Sequence, residues 1–145
     1  MCLAIYLASQ HPLPTFNHHE RYPELLISPH LYKKKAAVEE TLNLPFIYYV
    51  GSWEGCSCGF NPPSREAGED ESGRTEREMS AASRSSLSRY LADQIEAGEL
   101  ALYVAWDGEE GSPIQLKRTV SPDYFLTDPF EPLETNTLLR IQSVP

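Results

Sequence analysis

The stretch FIYYVGSWEGCSCGF, residues 46–60, joins the most strand-like run of the chain to two of its three cysteines. Phe46 to Val50 is an unbroken apolar and aromatic run, typical of a strand that is covered on both faces. Glycines at positions 51, 55 and 59 then loosen the backbone. Cys56 and Cys58 lie between the last two glycines. The sequence therefore predicts a buried strand that leads into a turn carrying two thiols.

The segment Cys2–Ala8 predicts a second strand that is apolar on both faces. Its alternation places one set of residues on each side of the sheet: Leu3, Ile5 and Leu7 on one face, and Cys2, Ala4, Tyr6 and Ala8 on the other. A strand with two apolar faces belongs in the middle of a covered sheet. If it neighbours the Phe46 strand, Cys2 approaches the turn that holds Cys56 and Cys58.

Two segments have the apolar periodicity of helices that pack by one face. A short helix is expected at about residues 33–42, and a long amphipathic helix at about residues 76–97. Thr75 and Glu78 have the spacing of a capping box at the start of the long helix. The stripe that we expect to face the sheet consists of Met79, Ser83, Leu87, Tyr90, Leu91, Gln94 and Ile95.

The remaining segments predict further strands. These are residues 24–28, 99–106, 114–120 and 137–142, with a single helical turn beginning at Pro122. The turn at residues 107–111 suggests that strands 99–106 and 114–120 form a hairpin. Prolines between residues 10 and 23 argue against regular pairing there. We therefore expect one α+β domain spanning residues 1–145, with a mostly antiparallel sheet.

Residues 61–78 differ in composition from the rest of the chain. They contain many acidic residues and no aliphatic side chain larger than alanine. Such a segment buries too little apolar surface to order itself, so an acidic flexible loop is expected within the domain. Its place directly after the cysteines leaves two interpretations open, a lid over a site and a tolerated insertion.

Charge and hydropathy exclude several classes of function. The 145 residues carry a formal net charge of -9, and the one basic run is Lys33–Lys35, which argues against nucleic acid as a partner. No apolar stretch is long enough to cross a bilayer, and the N-terminus lacks the basic region of a signal peptide. These features predict an acidic cytoplasmic protein without a membrane partner. Because the compartment is reducing and the number of cysteines is odd, we expect no structural disulfide framework.

The most specific hypothesis is a thiolate metal site formed by Cys2, Cys56 and Cys58. Three thiolates suit a soft or borderline ion such as Zn²⁺ or Cu(I), and a histidine completes the tetrahedron. His30 is the proposed fourth ligand, with His18 or His19 as alternatives. The single residue between Cys56 and Cys58 is shorter than the usual spacing of zinc ligands.

A second hypothesis is thiol redox or nucleophilic chemistry at Cys56 and Cys58. Cysteines two positions apart can bond only in a tight turn, and such a bridge is strained and easily reduced. A third, non-catalytic hypothesis is an interaction patch made of Tyr48, Tyr49, Trp53 and Phe60, which would bind a protein partner or a second copy of the chain.

Other candidate residues favour ordinary structural roles. The pair His18 and His19 is expected in a solvated loop, and the carboxylates Glu109 and Glu110 are expected to serve solubility at a turn. Motifs of the GxxxxGK[ST], GxGxxG and HExxH kinds are absent from the sequence. The residues thus leave an enzymatic and a non-enzymatic role both open.

Overall fold

The computed structural model describes residues 2–31, 35–61, 71–126 and 132–143. Its seven strands form one sheet: β1 Leu3–Ser9, β2 Phe16–His19, β3 Tyr22–Ser28, β4 Phe46–Gly51, β5 Leu100–Trp106, β6 Leu116–Val120 and β7 Thr137–Ile141. Two α-helices accompany it, α1 Lys35–Leu42 and α2 Glu71–Gln94. The strand order is β2-β3-β4-β1-β5-β7-β6, and every neighbouring pair except β6 with β7 is antiparallel. The predicted α+β class with a mostly antiparallel sheet is confirmed.

Strand β1 lies at the centre of the sheet, between β4 and β5. Ile5 is opposite Val50 of β4, and Leu3 is opposite Trp106 of β5. All seven residues of β1 are buried, because the sheet is covered on both sides. Leu3, Ile5 and Leu7 belong to the core that includes α2, whereas Ala4, Tyr6 and Ala8 belong to the core that includes α1. The two most apolar strands are therefore neighbours, which is the condition under which Cys2 approaches the cysteine turn.

The predicted hairpin of residues 99–106 and 114–120 is wrong. Strand β7 lies between β5 and β6, pairing antiparallel with β5 and parallel with β6. The burial of the strands explains the order. Three consecutive residues of β6 are exposed, whereas β7 buries alternate residues. The more apolar strand takes the interior position, and the polar strand takes the edge.

Helix α2 begins earlier than the sequence pattern predicts. It starts at Glu71 and continues to Gln94, followed by a 3₁₀ turn at Ile95–Ala97. Residues 71–78, predicted as part of the acidic loop, are therefore helical, and Thr75 lies within the helix instead of capping it. Glutamate and arginine have good helix propensity, which is sufficient to extend the helix without an apolar anchor. The predicted loop residues 62–70 lie outside the described part of the chain.

The buried face of α2 contains more polar side chains than its apolar stripe predicts. Ser83, Leu87, Tyr90 and Leu91 of the expected stripe are buried, but so are Ser80, Arg84, Ser86 and Ser88. Ser80, Ser83, Arg84 and Ser86 bind backbone carbonyls of neighbouring segments. Ser83 Oγ donates to Glu24 O at 2.8 Å, and Ser86 Oγ donates to Pro23 O. The helix therefore satisfies carbonyls in β3 that the sheet leaves unpaired.

The predicted loop at residues 10–23 contains strand β2, which pairs with β3 at the edge of the sheet. Its Phe16 ring stacks on Tyr22 at a centroid distance of 5.3 Å. Pro12 and Pro14 precede this strand, so they do not interfere with its pairing. Asp93 of α2 holds the hairpin through Arg21 Nε at 2.8 Å and the Tyr22 hydroxyl at 2.6 Å.

Neither helix in the described ranges is both long and apolar enough to cross a bilayer.

Candidate thiol site

The turn that follows β4 is closed by hydrogen bonds between its two ends. Ser52 N–H donates to Cys56 O at 2.8 Å, and Ser52 Oγ donates to the same carbonyl at 2.6 Å. Gly55 adopts a φ of 85°, a conformation that glycine takes without steric cost. The turn directs the chain back towards the first residues of β1, where the 3₁₀ helix Ser57–Phe60 begins.

Ser57 joins β1 to β4 through its buried hydroxyl. Its Oγ accepts the N–H of Ile5 at 2.9 Å and donates to Val50 O at 2.6 Å. The Ser57 side chain thus forms hydrogen bonds with a backbone donor in β1 and with a backbone acceptor in the neighbouring strand β4. Because both partners are buried backbone groups, this hydroxyl fixes the residues on either side of it against the start of β1.

Cys58 lies beside the start of β1. Leu3 N–H donates to its Sγ at 3.3 Å. The thiols of Cys56 and Cys2 are near enough to contribute to the raised pKa of Cys58. Cys2 is exposed, whereas Cys56 and Cys58 are partly buried. The structure therefore places Cys58 next to the residue that follows Cys2, and Cys2 itself is open to solvent.

The environment of Cys58 favours a neutral thiol. Burial raises its pKa to about 11, and the neighbouring thiols of Cys56 and Cys2 add to this rise, while the Leu3 N–H acts in the opposite direction. Cys56 has a different neighbour, since its Sγ is 3.8 Å from Glu54 Oε2, a weak thiol-to-carboxylate contact. At neutral pH, Cys58 is therefore protonated while the protein is at rest.

Tyr49 approaches the thiols from the side of the sheet that α1 covers. Its hydroxyl oxygen accepts the N–H of Ser57 at 3.1 Å. Burial raises the pKa of Tyr49, and the nearby Cys56 and Cys58 contribute to the rise. Tyr49 therefore holds Ser57, the residue between the two cysteines.

Glu110 is buried, in contrast to the solvated carboxylate that its place in a turn predicts. It is 3% exposed and accepts hydrogen bonds from the Tyr6 hydroxyl at 2.6 Å and from Gly108 N–H at 2.8 Å. Burial and the bond to this carboxylate raise the pKa of Tyr6 well above its usual range. The expected solubility role is wrong for Glu110, because its side chain lies in the core, where it accepts the hydrogen bond of Tyr6, a residue distant in sequence. Glu109, its neighbour, is exposed as expected.

Two of the histidines predicted as metal ligands, His30 and His19, lie away from the cysteines, and the side chain of His18 lies outside the described part of the structure. In the antiparallel pair of β3 and β4, Leu26 is opposite Gly51 and Ser28 is opposite Tyr49. His30 follows β3 and is exposed, so the chain carries it away from the cysteine turn. His19 lies against the Phe16 and Tyr22 rings in the β2–β3 hairpin. Among residues 2–31, 35–61, 71–126 and 132–143, no group of three or more His, Cys, Asp or Glu side chains is arranged to hold a metal ion.

The predicted aromatic patch is not a continuous exposed surface. Tyr48 and Phe60 are buried in the core on the α2 side, at 5% and 0% exposure. Tyr49 packs on the opposite side, because neighbouring residues of a strand point to opposite faces. Trp53 is half-buried and packs against Gly59, where a Cβ would come within 2.6 Å of its Nε1. These aromatic residues stabilise the turn from inside the fold.

Arg84 is a buried charge that the sequence pattern does not reveal. It is 1% exposed, and burial lowers its pKa to about 10, so it remains charged at neutral pH. Its Nε donates to Phe60 O, and its Nη2 is 3.4 Å from Asn61 Oδ1. Asn61 Oδ1 also accepts Leu133 N–H at 2.7 Å. Arg84 therefore anchors the end of the 3₁₀ helix that carries Cys58.

Comparisons with protein-family models, with curated proteins and with solved structures find no match to this chain. The fold is an α+β domain with one mixed sheet, in which the turn that carries Cys56 and Cys58 lies beside the start of the central strand.

Proposed function

We propose that the cysteine cluster performs thiol–disulfide exchange, with Cys2 as the entry thiol and Cys58 as the thiol that completes the reaction. The observation that carries this proposal is the hydrogen bond from Leu3 N–H to Cys58 Sγ at 3.3 Å, which holds that thiol beside the residue that follows the exposed Cys2. An accessible thiol and a second thiol beside it supply the two sulfurs that a two-step exchange uses.

The exchange transfers two electrons from the protein to a low-molecular-weight disulfide. The thiolate of Cys2 attacks one sulfur of the substrate, forms a mixed disulfide and releases the first substrate thiolate. Cys58 then loses its proton to solvent and attacks Sγ of Cys2. This second step forms the Cys2–Cys58 disulfide and releases the second substrate thiolate. Both thiolates are protonated by water.

The geometry favours Cys2 over Cys56 as the disulfide partner of Cys58. A bridge between Cys56 and Cys58 would have to close over one intervening residue, which strains the disulfide. Leu3 N–H already fixes the Cys58 sulfur next to the backbone that leads into Cys2. Although the raised pKa keeps Cys58 largely protonated, its attack is intramolecular, and proximity compensates for the small thiolate fraction. A cytoplasmic location, which the sequence predicts, would keep the resting site reduced.

The test is oxidation of tag-free protein by 2-hydroxyethyl disulfide, a neutral substrate. We expect the intact mass to decrease by two hydrogens and a non-reducing peptide map to join Cys2 to Cys58. The matched Cys56→Ser variant should form the same bridge. A bridge between Cys56 and Cys58, or oxidation that produces only stable mixed disulfides, would contradict the proposal.

Binding of a soft metal ion is the second candidate, and one observation favours it. The nearby thiols of Cys56 and Cys2 help to raise the pKa of Cys58, and a cation bound between the sulfurs would reverse this effect, once the described side chains, which form no three-ligand group as they stand, moved to meet it. Cys2, Cys56 and Cys58 would then bind Zn²⁺ or Cu(I) as thiolates. Stoichiometric metal in tag-free protein, with thiols that titrate only after chelation, would select this function. Three freely titrating thiols without bound metal would reject it.

A further inference from the structure

A cavity of about 280 Å³ lies between strand β3 and the turn that follows β4. The β2–β3 hairpin contributes Asn17, Glu24 and Leu26 to its lining, and the turn contributes Trp53 and Glu54. Glu24, Leu26 and Trp53 are half-buried, whereas Asn17 and Glu54 are exposed. The cavity therefore combines two acidic residues with an indole and an amide, at the place where the hairpin meets the turn.

Glu24 reaches the cavity from an irregularity in β3. In the pairing of β2 with β3, Asn17 is opposite Leu26. The next pair is His19 with Tyr22, so three residues of β3 lie opposite one residue of β2. Glu24, the middle one of the three, adopts a φ of 62°. A bulge of this kind redirects a side chain, and a left-handed conformation is costly for a residue other than glycine. The fold thus accepts backbone strain where Glu24 meets the cavity.

One hydroxyl of α2 fixes the two walls of the cavity relative to each other. Ser83 Oγ accepts the N–H of Trp53 at 2.9 Å and donates to Glu24 O at 2.8 Å. The end of β4 also packs tightly on β3, because a Cβ at Gly51 would lie 2.9 Å from Cδ2 of Leu26. The cavity is therefore formed before a ligand enters, as is usual for small-molecule sites.

The charges of the cavity identify the class of ligand. Neither Glu24 nor Glu54 forms an ion pair within the described part of the chain. The Glu54 carboxylate contacts Cys56 Sγ at 3.8 Å, a weak interaction that leaves its oxygens available to a ligand. Carboxylates attract a cation, and the indole is the aromatic ring that binds cations best. A metal ion is disfavoured, because the described residues hold no suitable group of three or more His, Cys, Asp or Glu side chains.

We propose that this cavity binds a small organic cation of the alkylammonium class between Glu24, Glu54 and Trp53. An ammonium group has three hydrogens to donate, which the two carboxylates and the amide oxygen of Asn17 accept. The apolar stem of the cation packs against Trp53 and Leu26. The site is independent of the proposed thiol exchange, since no cysteine takes part in binding.

The test is isothermal titration calorimetry of the full chain with 1,4-diaminobutane and with 1,4-butanediol, its neutral analogue. We expect one equivalent of the diamine to bind and the diol to give no binding heat. Glu24→Gln should weaken binding of the diamine about tenfold, because its carboxylate is half-buried. Glu54→Gln should weaken it about threefold, because Glu54 is exposed. Glu40→Gln, an exposed substitution on α1 with the same change in charge, should weaken it less than about 1.5-fold.

Glu24→Gly separates loss of the carboxylate from loss of the fold. Glycine adopts a φ of 62° without steric cost, so this variant should keep the stability of the wild type in urea. Its affinity for the diamine should nevertheless fall as much as that of Glu24→Gln.

Four results would overturn the proposal. Equal weakening by Glu24→Gln and Glu40→Gln would assign the binding to the net charge of the protein. Equal binding of the diol and the diamine would show that the cavity does not recognise charge. Unchanged affinity in a stable Glu24→Gly variant, or the absence of saturable diamine binding to the wild type, would show that the cavity is not an ammonium site.

Discussion

The backbone N–H of Leu3 donates a hydrogen bond to the sulfur of Cys58 at 3.3 Å, across a sequence separation of 55 residues. Two positions further along β1, Ile5 N–H donates to the hydroxyl of Ser57. Side chains of the 3₁₀ helix thus take the place of a strand partner beside the start of β1. The same contacts that complete the sheet bring the thiols together, so the stability of the fold and the geometry of the site depend on the same residues.

We predict that Ser57→Ala destabilises the protein by about 1–3 kcal/mol, because it leaves the buried Ile5 N–H and Val50 C=O without their shared partner. Denaturation by urea, monitored by circular dichroism, measures the change. Ser112→Ala is the control, since its hydroxyl donates to Glu109 O at an exposed turn. Equal stability of the wild type and Ser57→Ala would show that water replaces the hydroxyl at no cost.

The Tyr6–Glu110 hydrogen bond should be one of the stronger polar contacts in the core on the α1 side. Removal of one partner, as in Tyr6→Phe, is expected to cost about 1.5–3 kcal/mol, because the acceptor is a buried carboxylate. A double-mutant cycle with Glu110→Gln measures the coupling between the two side chains. Additive effects of the two substitutions would contradict a direct interaction of this strength.

Stability should fall at alkaline pH in a way that depends on Cys58. Its folded-state pKa of about 11 lies above that of an unfolded thiol, ~8.5, so the folded protein holds this proton more tightly. The resulting stability is fully present below the unfolded pKa and is lost as the pH rises towards 11. Thermal denaturation from pH 8 to 11 should therefore show a smaller loss for Cys58→Ser than for the wild type.

Cys2→Ser serves as the control for this measurement, because Cys2 is exposed. Serine at position 58 retains an acceptor for Leu3 N–H, so the comparison isolates the ionisation of the thiol. The buried tyrosines, whose pKa values are raised in the fold, contribute the same pH dependence to all three proteins, so their contribution cancels in the difference. Identical alkaline profiles for the wild type and Cys58→Ser would contradict the raised pKa.

The β2–β3 hairpin should detach from α2 at acidic pH. Hydrogen bonds from Arg21, and then from Tyr22, lower the pKa of Asp93. The stability that this carboxylate contributes is present above its unfolded pKa, ~3.9, and is lost as the pH falls through the lower folded value. Asp93→Asn should cost about 1 kcal/mol or less at neutral pH, as expected for a partly exposed pair.

The difference in the free energy of unfolding between Asp93→Asn and the wild type should become smaller as the pH falls below about 4. Glu40→Gln, an exposed substitution on α1, provides a control with the same change in charge. A difference that stays constant down to pH 2 would show that the carboxylate contributes through its shape alone.

The sequence predicts the centre of the fold more accurately than its edges. Cys2–Ala8 and Phe46–Val50 are apolar on both faces, so they have to be neighbours beneath two layers of cover. The position of β7 is not predictable in this way, because the order β5-β7-β6 depends on competition between two strands for an interior place. The turn at residues 107–111 satisfies local rules for a hairpin that the tertiary structure overrides.

The candidate site is only partly readable from the sequence. Glycines and cysteines identify the turn, and strand pairing brings Cys2 to it. Tyr49 and Arg84 give no comparable signal, because an aromatic residue in a strand and an arginine in an amphipathic helix usually pack or face solvent. Their roles depend on contacts with Ser57 and Phe60, which only the tertiary structure reveals.

The most direct test of the account is the fate of the mixed disulfide on Cys2 in wild-type and Cys58→Ser protein treated with 2-hydroxyethyl disulfide. We predict that the adduct is transient in the wild type and in Cys56→Ser, and that it persists at one equivalent in Cys58→Ser. An adduct equally stable in all three proteins would contradict the claim that Cys58 attacks Cys2.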